Sequence, residues 1–548
     1  MTGNKKPLGA LLKEEGLITE EQLQFALTEQ KATGERLGEC LKRLGIITDS
    51  ELAQVLAKQT DLPYIDLKSF TPVAEVLKFL PAHLASSHSI LPLRLTDKEI
   101  EVAVADPYDL ELPQIIIRAT GRQPRLYVAS ENEIKKLVER YYYLIEHPID
   151  EEISNIIALM GQKPNIETDI TRLTELILTS AVIHRATDIH ITPSDKTCRI
   201  FFRIDGISEP RYIFPGSIHS KIVTHLKVQA RMDISEQRRP QDGRMSFEFL
   251  SDSFDVRVST VKSNFGENMV LRLLPSRGES LLNLEQLGFD EEQFEKIEAL
   301  FAKPHGIVLV TGPTGSGKTT TLYAALRRQN AIEKNIVTVE DPIEYQFLMI
   351  RQTQVNEKAG YTFAAALRTF LRQDPDVILV GEIRDSETAQ LAVRAAITGH
   401  LVLSTLHTNS AIGAVARLKD LGLSSYLLST ALSGILAQRL MRKLCPYCKE
   451  PYNPTDEERE KYKLPQDIQL YKAGTCPQCR NTGYMGRTIV AEILDFSDEM
   501  LKMIAREEPI SEILNQALKE GFVSLKEHAL KKVLNGETSL EEMKRVVG

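Results

Sequence analysis

Two groups of residues have types and spacings suited to chemistry. The first lies in "GIVLVTGPTGSGKTTTLYAAL", which contains GxxxxGKT from Gly312 to Thr319. Glycines in such a loop let backbone N–H groups close around phosphate oxygens, and the helix that follows turns its N-terminus toward the anion. Gly312, Pro313, Thr314, Gly315, Ser316 and Gly317 form the loop, and Thr320 extends the contact set. Lys318 is placed to reach the β- and γ-phosphates of ATP, and Thr319 to offer a hydroxyl to Mg²⁺. An apolar strand precedes the loop and a helical pattern follows it, as this chemistry requires.

Three further stretches belong with that loop. In "DPDVILVGEIRD", the apolar run Val377–Val380 is followed by Glu382, sixty-four residues past Lys318 and suited to the same Mg²⁺. "IVTVEDPIEY" ends a second apolar strand in Glu340, Asp341 and Glu344. Strand ends on one edge of a parallel sheet converge on a phosphate site, so Glu340 is the candidate to orient or deprotonate water. Asp341, before Pro342, reads equally as a turn. "AAITGHLVLSTLHTNSA" places His400 before a strand and His407 after it. His407 is the candidate to sense the γ-phosphate; a structural hydrogen bond is the plainer role for a lone histidine.

The second group is sulfur. Cys445, Cys448, Cys476 and Cys479 give CxxC-x27-CxxC, the ligand set of a closed tetrahedral Zn²⁺ site with no open position for catalysis. A redox pair is the competing reading. The polar insert between the pairs offers little core, so a metal would replace it.

These residues need several domains to position them. A chain of 548 residues divides into about three or four cores. Its net charge of −8 gives no bulk electrostatic support for nucleic-acid binding. Beyond the two CxxC pairs only Cys40 and Cys198 remain, which points to the cytoplasm. The N-terminus shows no signal peptide, and no run approaches the roughly 18 apolar residues of a membrane span, so membrane association is expected only through partners.

Residues 1–145 open on a repeat shifted by 29 residues: "LGALLKEEGLITEEQLQFALTEQ" from Leu8 and "LGECLKRLGIITDSELAQVLAKQ" from Leu37. Each copy predicts helix, turn at Gly16 or Gly45, and a helix capped by Thr19 or Thr48. A small α/β unit follows, ending in "ENEIKKLVERYYYL". Residues 146–168 read as an acidic linker, 169–275 as a middle α+β domain of PAS-like type with one solvated sheet face, 276–288 as a hinge, and 289–548 as the catalytic domain, including a zinc module over 440–490.

Taken together, "GPTGSGKTTT", "TVEDPIEY", "RQDPDVILVGEIRD" and "TGHLVLSTLHT" resemble the boxes of the hexameric ATPases of type II secretion and type IV pilus assembly. "ATDIHITP", "FRIDG", "RRPQDGR", "FDVRVST" and the C-terminal "GETSLEEMKRV" extend the resemblance over nearly the whole chain. It implies a RecA-like multidomain α/β fold, a homohexamer, and inner-membrane platform and cytoplasmic-domain partners. It also implies middle-domain arginines over the nucleotide, best matched by Arg257 and Arg272, then Arg244 and Arg203. Secretion is favoured over pilus extension by "KTTTLYAAL" and "QTQVN"; a nucleotide-responsive scaffold with little turnover is the rival from another class. The repeat resembles the tandem cyclic di-GMP motif of some members, with Leu8, Gly9, Arg36, Leu37 and Gly38 as its matches. Pro7 stands where the first copy should carry Arg, and Lys5 or Lys6 lacks the planar fork to replace it. A partner-docking domain is the alternative.

Overall fold

The computed structural model describes residues 6–67, 70–162, 169–275 and 283–548. They form two compact units: residues up to 23 with 47–279, and residues 24–46 with 280 onward. Among the described residues no helix is long and apolar enough to cross a membrane.

In the repeat, Gly16 and Gly45 take left-handed φ values of 68° and 72°, the conformation their turns require. Thr48 Oγ1 accepts from Glu51 N at 3.1 Å while the Glu51 carboxylate accepts from Thr48 N, a reciprocal cap that Thr19 and Gln22 repeat. The small α/β unit has strands β1 (Ile90–Leu95), β2 (Glu99–Val104) and β3 (Gln123–Val128) in that order. β1 and β2 are antiparallel and β2 and β3 parallel.

The middle domain is an antiparallel sheet of β4 (Asp188–Pro193), β5 (Thr197–Ile204), β6 (Ile207–Pro215), β7 (Gln241–Phe249), β8 (Asp252–Ser263) and β9 (Gly266–Pro275). Their order is β6-β5-β4-β9-β8-β7. Helices Ile170–Ile183 and His219–Gln229 share one apolar cluster with its inner face, leaving the other face polar. β6 contains Pro210 and Pro215 and lies on a sheet edge, where prolines need not donate.

The expected linker 146–168 requires correction. Ile149–Gln162 is a helix that buries Ile149, Ile153 and Met160 in the middle-domain core. The acidic run that read as a solvated spacer is its first turn, where carboxylates complement the helix dipole. Asp150 also accepts from Arg211 Nη2 at 2.5 Å, Ser180 Oγ at 3.1 Å and the Tyr212 hydroxyl. Residues 163–168 lie outside the described residues, as do 276–282 of the expected hinge. The hinge's remainder is not loose: Leu284 and Leu287 are buried against Ile297, Leu300 and Val308.

The second unit holds a seven-stranded sheet built from β10 (Gly306–Thr311), β11 (Ile336–Glu340), β12 (Arg351–Gln354), β13 (Val377–Val380), β14 (Leu401–Leu406), β15 (Leu432–Leu444) and, past a short β16/β17 ladder (Glu450–Tyr452, Leu470–Lys472), β18 (Tyr484–Asp495). The order is β12-β11-β13-β14-β10-β15-β18, parallel except for β18. Every residue of β10, β11, β13 and β14 is buried, because helices cover both faces.

Candidate nucleotide site and tetracysteine cluster

The C-terminal ends of the central strands gather the predicted groups. β10 runs into the P-loop, and the helix Lys318–Arg328 begins directly after it. Gly312, Gly315 and Gly317 have φ of 146°, 77° and 86°, a loop path that residues with a Cβ resist. A Cβ on Gly312 would also lie 2.5 Å from Gln438 O. Pro313, Thr314 and Gly315 are exposed, so the cradle opens to solvent. Lys318 Nζ donates to Gly312 O at 2.9 Å and Pro313 O at 3.1 Å, holding its charge over the loop. Burial lowers its pKa, Glu382 opposes that shift and Arg439 adds to it. A buried Ser316 hydroxyl without a protein partner completes a cradle that fits phosphate oxygens.

Glu382 follows β13 with its carboxylate paired to Arg384 and 3.7 Å from His407 Nε2. A carboxylate here, with the Thr319 hydroxyl in the first turn of the P-loop helix, is an oxygen donor set suited to Mg²⁺. His407 is held below the ordinary imidazole pKa by burial, then by Lys318, so at neutral pH it is uncharged. His400 has the plainer role: its Nδ1 lies 2.8 Å from Ala395 O, finishing the helix Ser386–Ile397.

Glu340 is placed differently. It is 4% exposed, and both carboxylate oxygens are taken. Thr338 Oγ1 donates at 2.5 Å and Gln352 Nε2 at 3.1 Å to Oε1, while the Tyr323 hydroxyl donates to Oε2. Tyr323 comes from the P-loop helix and also accepts from Glu344 N at 3.1 Å. Spacing gave no signal for this network. Gln438 was equally invisible: fully buried on β15, it donates to Ser316 O at 2.8 Å and accepts from Thr321 Oγ1 at 3.0 Å. Its separation of 122 residues from Ser316 hides it from any local motif.

Arg257 and Arg272 belong to the other unit. There they form a cross-strand row on the polar face of the middle-domain sheet, in the register Arg244–Arg257–Arg272–Asp188–Arg203. Arg272 Nε donates to Asp188 Oδ1 at 2.9 Å, and Arg203 Nε is 3.7 Å from Oδ2. Arg257 Nε is buried without a partner.

The four cysteines converge as their spacing predicts. Sγ–Sγ separations are 3.7 Å for Cys445–Cys476, 3.7 Å for Cys448–Cys479 and 3.6 Å for Cys476–Cys479. A tetrahedron of thiolates about 2.3 Å from a metal has edges of about 3.8 Å, so the sulfurs fit one. Gly483 N donates to Cys479 Sγ at 3.2 Å; burial works to raise that thiol's pKa, but the donated hydrogen bonds bring it down to about 7. The insert's apolar residues join a shared core: Tyr462, Leu464 and Leu470 pack with Ala529, Val533, Leu540 and Met543 of the C-terminal helices. Three apolar residues scattered among charges gave no periodic signal, and their partners lie far along the chain.

At the N-terminus, Leu8-Gly9 and Leu37-Gly38 open their own helices, preceded by Pro7 and Arg36. Lys6 is engaged by Glu14 at 2.7 Å, and residue 5 lies outside the described residues.

Comparison with known proteins decides the lineage. Residues 165–545 match the family model described as type II/IV secretion system protein, and residues 60–147 match the MshEN domain. The chain belongs to the type II/IV secretion system protein family. It is 39% identical to the type IV pilus assembly ATPase PilB of Myxococcus xanthus, over 98% of each chain. It is 44% identical to the type II secretion system protein E of Dickeya dadantii, over 86% of this chain and 97% of that one. Among solved structures, the ATPase DotB of Legionella pneumophila aligns with TM-score 0.50 and 21% identity, over 70% of this chain and 96% of that chain. That likeness concerns the fold alone. The P-loop, Glu382 and His407 stretches all lie within residues 165–545.

Proposed function

We propose that the protein is an ATPase powering assembly of a pseudopilus for type II protein secretion, working as a homohexamer in the cytoplasm. The observation that carries the reading is the joint placement of Lys318, Glu382 and His407 at the strand ends beside an open P-loop. ATP bound with Mg²⁺ supplies the phosphoryl group that passes to water. Lys318 and the loop amides hold the phosphates, and Thr319 and Glu382 hold the metal. Glu340 orients water and accepts its proton once Gln352, a half-buried donor, leaves Oε1. His407, neutral at pH 7, senses the terminal phosphate through Glu382. Arg257 and Arg272 compensate phosphate charge, and the partnerless Arg257 Nε supports that role.

Zn²⁺ is the metal read for the four cysteines, whose sulfurs form a closed set with a structural task. The antiparallel middle domain, with helices on one face, supports its PAS-like reading. The N-terminal repeat is read as a regulatory module for cyclic di-GMP, on the strength of Arg36-Leu37-Gly38 and the adjoining MshEN match. Inner-membrane platform and cytoplasmic-domain proteins of the machine bring the ring to the membrane; no nucleic acid is involved.

Pilus extension is the second reading, favoured by the alignment with a pilus assembly ATPase over 98% of both chains. Phosphate release by the purified protein, and its loss in Lys318→Ala, tests the ATPase reading. Deleting the gene then separates the machines: loss of extracellular proteins with surface pili intact supports secretion, and the reverse supports pilus extension.

A further inference from the structure

β15 passes beside the P-loop and presents two residues there. It pairs in parallel with β10 up to Thr311↔Ala437, so Gln438 and Arg439 run alongside the loop that follows Thr311. Gln438 grips the loop through Ser316 O. Arg439, next along the strand, points to the opposite sheet face. We propose that Arg439 is a further phosphate-binding residue of the site, contacting the terminal phosphate of ATP within its own subunit.

Three observations carry this assignment. Arg439 is half-buried, yet its guanidinium meets only neutral oxygens: Asn409 O at 3.1 Å, Asn409 Oδ1 at 3.3 Å and Gln438 O at 3.5 Å. Among the described residues no carboxylate lies within ion-pair distance of it. Arg442, three residues further along the same strand, shows what a settled interior arginine looks like, with Nη2 2.8 Å and Nε 3.1 Å from Glu542 Oε2. Second, the acid nearest in sheet register is already occupied. Glu492, opposite Ala437, accepts from Ala411 N at 2.7 Å and Leu525 N at 3.1 Å. Third, the charge balance is open: Lys318 and Arg439 both bring positive charge to this end of the sheet, and Glu382 is shared with Arg384. A triphosphate carries the missing negative charge, and a guanidinium offers forked donors to one phosphoryl group. Asn409 lies two residues past His407, so Arg439 and the His407 loop make one wall.

The inference rests on the ATPase reading, whose own failure would show as wild-type protein that binds neither nucleotide. The test compares affinities for a non-hydrolysable ATP analogue and for ADP in full-length Arg439→Gln. At least a tenfold loss for the analogue with less than twofold for ADP is expected, together with a lower kcat. Parallel loss of both, or no change, would overturn the assignment. Arg439→Lys keeps the charge and stem, and carries the same test should the glutamine variant not fold. Its analogue-to-ADP ratio should fall at least threefold, and an unchanged ratio would contradict the proposal. Glu492→Gln separates a mere counter-charge role: it should leave the ratio as in wild type, and a drop matching Arg439→Gln would also sink the idea.

Discussion

Around the P-loop, Lys318 donates only to carbonyls of its own loop, Ser316 Oγ has no protein partner and Arg439 faces neutral oxygens. Six residues beyond Arg439, just past the end of the same strand, comes Cys445, and around it a set of polar groups is matched. Arg442 and Arg545 both bind Glu542, whose side chain is 0% exposed. Leu444 N donates to Glu537 O at 2.8 Å, and Lys449 Nζ to Gly536 O at 3.0 Å. Tyr484 and Ser539 share a 2.6 Å hydrogen bond. Open donors mark a surface that waits for an anion, whereas matched donors mark one that holds itself together. Substitutions in the cradle should therefore change turnover, and substitutions in the module should change stability.

The largest stability effect is expected at the sulfurs. Cys476→Ser should cost roughly 4 kcal/mol or more, the scale on which loss of a metal site stands out. Nucleotide affinity should stay within about threefold, as read by denaturant unfolding alongside nucleotide titration. An equal loss of ATP affinity would dissolve the contrast.

Acidification gives the next effect. His528 is 1% exposed, and burial, aided by Lys532, pushes its pKa down to about 4. The unfolded chain takes up that proton below about pH 6.5, and the folded chain only near pH 4. Stability should thus fall as the pH drops through this window, by roughly 3 kcal/mol at its lower end. Glu542 adds nothing until lower pH: burial alone would raise its pKa, but hydrogen bonds from Arg545 and Arg442 hold it at about 2. Its contribution is lost only between about pH 4.5 and 2. Unfolding curves at stepped pH should show a shallower upper slope in His528→Gln than in wild type, with His190, His219 and His407, also held down by burial, keeping their share.

Tyr323 provides the smallest and sharpest case, since it is a matched group inside the open cradle. Tyr323→Phe removes one donor to Glu340 and should cost about 1–3 kcal/mol. As a positioning residue it should also lower kcat with KM unmoved. A stability loss with unchanged kcat would place the Glu340 network outside the chemistry.

What could be read from the chain alone follows the same division. The P-loop, Glu382 and the cysteine pairs are contiguous or fixed-offset patterns, so their placement shows in spacing. The repeat's turns were equally plain, because Gly16 and Gly45 recur in register. Gln438, Arg439, Tyr323 and the core beneath the cysteine insert depend on strand pairing over a hundred or more residues in the first two cases, and on side-chain direction in the others. The helix Ile149–Gln162 was hidden because its acidic first turn dominates the composition, while Ile149 and Ile153 supply the burial.

Turnover by Glu382→Gln at saturating ATP tests the central claim most directly. The variant should bind ATP within about threefold of wild type yet hydrolyse it at least about a hundredfold more slowly, the scale of removing a transition-state charge stabiliser. Wild-type turnover in that variant would contradict the placement of the reaction at this end of the sheet.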